Sequence, residues 1–156
     1  EEDGRILSYP SVLRPLPADM SIEIDKKRER RLRPNALVRR LKANQEKPAK
    51  FRPEQYLESL ARAYDLAIKH SGILPNAIVR LPEIYELFTL LPGQQREYAP
   101  QEFARDLYLL DQSGAVTTKD GRAISLPAST LTKGGKTFTT VTRSGQRKVY
   151  AGISFA

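Results

Sequence analysis

The chain is expected to fold as a small α+β domain preceded by an extended basic arm. Apolar residues recur at helical steps between Pro53 and Ser113, and the period turns strand-like beyond Gly114. Seven of the eleven prolines fall before residue 80, which points to an irregular first third and a better-packed remainder. At 156 residues there is length for one compact domain plus an arm.

Residues 1–20 hold three prolines and no sustained period, and are expected to run as an extended lead-in. Ser21–Asp25 alternates like a short strand. The basic run Lys26–Arg33 stops at Pro34, and Asn35 is placed to cap a short helix, ALVRRLKA, before a polar linker, NQEKPAK. Pro53 opens the clearest helix, with Leu57, Leu60, Ala61, Tyr64, Ala67 and Ile68 on one side and Gly72 as its stop. Pro82 opens a second, with Ile84, Leu87, Phe88 and Leu91 as its core stripe. Pro100 opens a third, turning Phe103, Leu107 and Leu110 inward and ending at Ser113-Gly114. Beyond it, AVTT and AISL flank a turn at Asp120-Gly121, while 136–142 and 147–155 flank another at Ser144-Gly145. No internal repeat is visible.

The net charge of +8 is uneven. Residues 1–25 are net −4, residues 26–50 net +9, residues 51–113 net −3 and residues 114–156 net +6. Two positive blocks flanking an acidic helical middle are the expected footprint of a surface for a polyanion.

Three short helices followed by basic hairpins resemble the element order of the winged-helix superfamily, from about residue 53 to residue 155. The resemblance implies that QEFARDLYLLD holds the recognition-helix position and that the glycine-containing hairpins act as wing. The outward face of that helix is expected to carry Gln101, Glu102, Arg105, Asp106 and Asp111, three acids against one base. Such a face repels phosphate and reads bases poorly in a major groove.

Several chemistries are excluded or weak. With no cysteine and a single histidine, His70, neither a disulfide framework nor a structural zinc site is available. His70 sits where a helix C-terminus favours positive charge, and no nucleophile elbow accompanies it. TLTKGGKT (Thr130–Thr137) imitates a phosphate loop, but Thr130 stands at the first glycine position and a strand follows instead of a helix. Asp19, Glu23, Asp25 and Lys27 imitate a metal-dependent nuclease grouping, in a lead-in expected to lack a surrounding sheet. Tyr56, Tyr64, Tyr85 and Tyr108 read as core packing, whereas Tyr98 and Tyr150 are the better candidates for contact with a base or sugar. No apolar run reaches a membrane span, and no signal peptide is visible. The opening Glu1-Glu2-Asp3, without an initiator methionine, is expected in a processed product or in part of something longer.

The expectation is therefore a non-enzymatic DNA-binding accessory subunit without cofactor or metal, in two parts: an arm over 1–50 and a winged-helix-like domain over 51–156. Arg28, Arg30, Arg31, Arg33, Arg39, Arg40 and Lys42 of the arm, with Arg143, Arg147 and Lys148 of the wing, are the expected phosphate contacts, on double-stranded DNA. The other basic residues near the hairpins, Lys119, Arg122, Lys133 and Lys136, serve equally as wing charges or as edge-strand protection. A protein-interaction module in a larger DNA-processing, chromosome-maintenance or defence assembly is the alternative, and an RNA-binding ribonucleoprotein component a third. The expected location is cytoplasmic, or associated with the nucleoid.

Overall fold

A computed structural model describes residues 4–47, 50–127 and 136–156, with Gln94 and Arg96 described by their backbone alone. The chain is mixed α+β and divides into two compact units, one of residues 1–50 with 140–147 and one of residues 51–139 with 148–156.

In the first unit, strands β1 (Ile6–Ser8), β2 (Ser11–Leu16), β3 (Ser21–Ile24) and β4 (Lys27–Glu29) form an antiparallel meander in sequence order. Leu13 of β2 pairs with Ile24 of β3, and these two are the buried hydrophobic residues of the sheet, 6% and 1% exposed. Residues 1–20, expected as an unpaired lead-in, thus supply two strands of a sheet. The prolines that hid them are compatible with it. Pro10 lies in the two-residue β1–β2 turn, and Pro17 opens a 3-10 turn, Pro17–Asp19. Pro15 pairs with Ile22 on one side, beyond the Ser11–Leu13 stretch that β1 covers, so its missing N–H costs no ladder bond on the other side. The β3–β4 turn puts Asp25 and Lys26 at φ +48° and +64°, the left-handed pair that a tight hairpin needs.

Helix α1 spans Pro34–Glu46. Proline occupies a first-turn position, where its missing N–H is no loss, and the Arg33 carbonyl accepts from the Ala36 and Leu37 amides. Asn35 is inside the helix and not its cap, and Asn44, Gln45 and Glu46, expected as linker, extend it. None of its thirteen residues is buried.

The second unit holds α2 (Pro53–Ser71), β5 (Val79–Arg80), α3 (Leu81–Phe88), a short α4 (Gln94–Glu97), α5 (Pro100–Ser113), β6 (Ile124–Ser125), β7 (Phe138–Val141), β8 (Arg147–Tyr150) and β9 (Gly152–Phe155). The outer parts of β7 and β8 are grouped with the first unit. Helices α2 and α5 end as expected on glycines at positive φ, Gly72 (+62°) and Gly114 (+76°). Their buried stripes meet in one core: Leu57, Leu60 and Tyr64 from α2, Leu81 and Ile84 from α3, and Phe103, Leu107 and Leu110 from α5. Each aliphatic member contributes about 1.5–3 kcal/mol by leaving water. Leu91 falls outside the stripe and is exposed, because α3 stops at Phe88.

A three-stranded sheet, in the order β5-β9-β6, closes that core with Ile153 and Phe155. The stretch 147–155, expected as one strand, is two: β8 pairs with β7, and after Ala151 β9 pairs with β5 and β6. The turn at Asp120-Gly121 forms as expected, with Gly121 at φ +89° and the Thr118 amide bonded to the Arg122 carbonyl. Its flanks meet only in a Thr117–Ala123 bridge, and β6 turns to β9 instead. The turn at Ser144-Gly145 also forms, with Gly145 at φ +83° and the Thr142 amide on the Gln146 carbonyl.

Candidate nucleic-acid interface

All ten expected phosphate-contacting side chains belong to exposed residues, and their elements differ. Arg28 lies on β4. Arg30, Arg31 and Arg33 occupy the connection from β4 to α1, and Arg39, Arg40 and Lys42 stand on α1. Arg143 sits in the β7–β8 turn and Arg147 opens β8; both are grouped with the first unit, and Lys148 with the second. The segments making up the first unit carry fifteen basic and eight acidic residues, net +7, against net +1 for the remainder.

Local partners hold some of these charges in place. Arg28 Nη2 is 3.0 Å from Asp19 Oδ2, with both side chains about half exposed, a pair that adds little stability. Arg31 donates its backbone N–H to Glu29 Oε1 at 2.9 Å and brings its Nε to 3.4 Å. That backbone bond, with the nearby Arg31 and Arg40 charges, holds the Glu29 carboxyl below its usual range. Arg39 donates its Nε to the Asn35 carbonyl at 3.3 Å. The side chains of Arg30, Arg33 and Lys42 have no hydrogen bond or ion pair with a described residue. Lys148 is engaged in its own unit, 3.4 Å from Asp111 Oδ2 and over the Tyr150 ring.

Arg122 is committed within the fold. Its guanidinium takes Asp65 through Nη1 and Nη2 and Asp120 through Nε at 2.8 Å, and it lies 5.7 Å from the Phe155 ring centre. These bonds raise its already high pKa further. Lys119 is exposed, and its backbone N–H donates to Glu58 Oε1 at 2.7 Å. Lys133, and the stretch of TLTKGGKT before Lys136, lie outside the described residues. An open cleft of about 350 Å³ beside α2, lined among others by Glu54, Glu58, Arg62 and Lys119, mixes both signs of charge.

The outward face expected for the third helix is mostly covered. Gln101 is 2% exposed, and the side chains of Arg105 and Asp106 retain 22% and 14%. Tyr98 donates its hydroxyl to Asp106 Oδ2 at 2.9 Å and lies within hydrogen-bond distance of the Tyr56 hydroxyl. Burial pushes the Asp106 carboxyl upward, against the pull of Arg105 at 3.0 Å. It pushes the Tyr98 and Tyr56 phenols upward as well. Asp111, the exposed acid of the set, accepts the Tyr150 hydroxyl at 3.0 Å. Tyr98 and Tyr150, expected as base or sugar contacts, are therefore structural. Tyr150 is 1% exposed, and the Tyr98 ring packs against Phe88 and Phe103. Tyr64, Tyr85 and Tyr108 pack in the core as expected.

Two carboxylates of the nuclease-like grouping are engaged elsewhere, and a sheet does surround it. Asp19 pairs with Arg28, and Asp25 accepts from Ser11 Oγ at 2.7 Å and from the Val12 amide at 3.0 Å. Among the described residues no group of three or more His, Cys, Asp or Glu is placed to hold a metal ion. None of the helices there is long and apolar enough to cross a membrane. His70 is exposed in the last turn of α2, beside Lys69, where the helix dipole favours both.

Sequence reasoning missed Asn44, whose Nδ2 donates to Ser11 Oγ at 3.0 Å and reaches Asp25 Oδ2 at 3.3 Å. Nothing local marked it, since the three partners are 14 to 33 residues apart. No family model, no curated protein and no solved structure matches this chain.

Proposed function

We propose that this protein is a non-enzymatic accessory subunit that binds double-stranded DNA through its phosphates, with little preference for base sequence. The observation that carries the reading is that the exposed bases of 28–42 and those of the 140–147 turn belong to one compact unit of net charge +7. Clustered arginine and lysine at a surface displace condensed counterions from a polyanion. Arginine adds the forked geometry that phosphate accepts. In residues 1–50 the only aromatic is Tyr9, so this surface offers no stack of rings for unpaired bases, which favours a duplex backbone over a single strand.

The winged-helix reading is supported by the order α2, α3 and α5 followed by strands, among them the β7–β8 hairpin whose turn is grouped with the first unit. The covered face of α5 weighs against base reading from the recognition-helix position, and this favours a second reading, a winged-helix module that docks on a protein partner.

Fluorescence polarisation of a short labelled duplex tests the first reading. The observed affinity falls linearly with salt on a double-logarithmic plot, with a slope of roughly −0.9 for each phosphate neutralised. Absence of binding at low salt, or a flat salt response, rejects it. Competition with an RNA duplex separates DNA from RNA, and co-elution with another chain in place of nucleic acid favours the second reading.

A further inference from the structure

Helix α1 carries three of the expected phosphate contacts, yet little in its own composition explains why it stays on the sheet. It is thirteen residues long, and helices of about 12–15 residues are marginal in water when isolated. It buries no residue; Leu37 and Leu41 are half-buried, and Val38 is 49% exposed. Apolar burial therefore fixes its position weakly.

A polar clasp meets the helix near its C-terminal end. Asn44 Nδ2 donates to Ser11 Oγ at 3.0 Å and approaches Asp25 Oδ2 at 3.3 Å. Ser11, 2% exposed on β2, donates its own hydroxyl to the same carboxylate oxygen at 2.7 Å. The Val12 amide takes the other oxygen at 3.0 Å, and the Asp25 amide returns to the Val12 carbonyl at 3.1 Å. One carboxylate thus gathers strand β2, the β3–β4 turn and helix α1. Hydrogen bonds to a charged acceptor are about twice as strong as neutral ones. A buried hydroxyl left without its partner costs more than the bond itself contributes.

We propose that Asn44 is the positioning residue of the basic surface: through Ser11 and Asp25 it clasps α1 to the sheet and so fixes where Arg39, Arg40 and Lys42 stand. Asn44 itself touches no phosphate. Its effect on binding rests on the DNA-binding reading above, whereas its hold on the helix does not.

The test uses the full chain with Asn44→Ala and, as a second variant cutting the same clasp from the strand side, Ser11→Ala. Hydrogen exchange is read at the α1 amides, with those of α2 as internal reference. Both variants are expected to raise α1 exchange about tenfold or more relative to α2. Duplex affinity is then measured for the wild type, Asn44→Ala, Arg39→Ala with Arg40→Ala, and all three changes together. Asn44→Ala is expected to weaken binding severalfold, and the arginine changes to cost less in its presence than in the wild type. Unchanged α1 exchange in both variants overturns the proposal. So do arginine and asparagine effects that multiply independently. If the wild type binds no duplex, the DNA-binding reading falls and exchange alone decides the clasp.

Discussion

Arg122 holds Asp65 with two parallel hydrogen bonds, Nη1 to Oδ1 at 2.7 Å and Nη2 to Oδ2 at 3.1 Å, across 57 residues of sequence. The pair ties helix α2 to the Asp120-Gly121 turn while the guanidinium rests near Phe155. The fork is planar and bidentate, so it fixes an angle as well as a distance. Both side chains keep solvent contact, 30% and 42% exposed, which limits the worth of the charge pair itself.

Arg122→Ala is expected to lower stability by about 1–2 kcal/mol, from weaker packing on Phe155 together with the discounted ion pair. Arg122→Lys retains the charge without the fork, and is expected to recover less than half of that. Urea denaturation followed by circular dichroism measures both. Neither change is expected to alter duplex affinity, because this arginine is already engaged.

The basic surface makes a different prediction. Arg39→Ala with Arg40→Ala is expected to reduce duplex affinity and to flatten the salt slope by roughly one to two units, about 0.9 for each phosphate that is no longer neutralised. Polarisation titrations at several salt concentrations give the slope. A drop in affinity with an unchanged slope would mean that the arginines support the fold and do not touch phosphate.

Asp106 gives a pH dependence of unusual sign for a carboxylate. Burial raises its folded pKa above the unfolded one, so the folded state holds the proton over the window between them. In that window the unfolded state binds fewer protons, and stability falls as pH rises from the ordinary carboxylate range to the raised folded value. Glu29 and Asp120 are shifted downward and act oppositely, their contribution being lost as pH falls. Asp106→Asn keeps an acceptor for Tyr98 and removes the titration. Thermal unfolding between about pH 4 and pH 7 is expected to fall less steeply with rising pH in the variant than in the wild type.

Ile24 probes whether the first fifty residues hold a sheet. It is 1% exposed and faces Leu13 across β2 and β3. Ile24→Ala is expected to cost about 2–4 kcal/mol and to remove amide protection along both strands. Absent protection in the wild type would return this segment to an unpaired arm.

Much of the second unit was legible in the sequence. Pro53 with Gly72, and Pro100 with Gly114, bound α2 and α5, because proline and glycine act on their own backbone and need no distant partner. The turn at Gly121 follows from the same local chemistry, as does the one at Gly145, which is grouped with the first unit. The first unit was legible only in part: the alternation at Ser21–Asp25 and the helix after Pro34 are present as β3 and α1, but the strands before them were hidden. Strand β2 carries Pro15, and its pairing with β1 and β3 satisfies backbone groups that no short window displays.

Sequence alone was enough for the ends of α2 and α5, the absence of thiolate chemistry and the two positive blocks. It placed those blocks at opposite ends of the chain, as an arm and a wing. It took the folded chain to group residues 140–147 with residues 1–50, to bind Arg122 to Asp65 and to set Asp106 under Tyr98. The difference is one of range. Capping, turn geometry and formal charge are properties of a few neighbouring residues, whereas which charges face water depends on strand register and side-chain partners dozens of positions away.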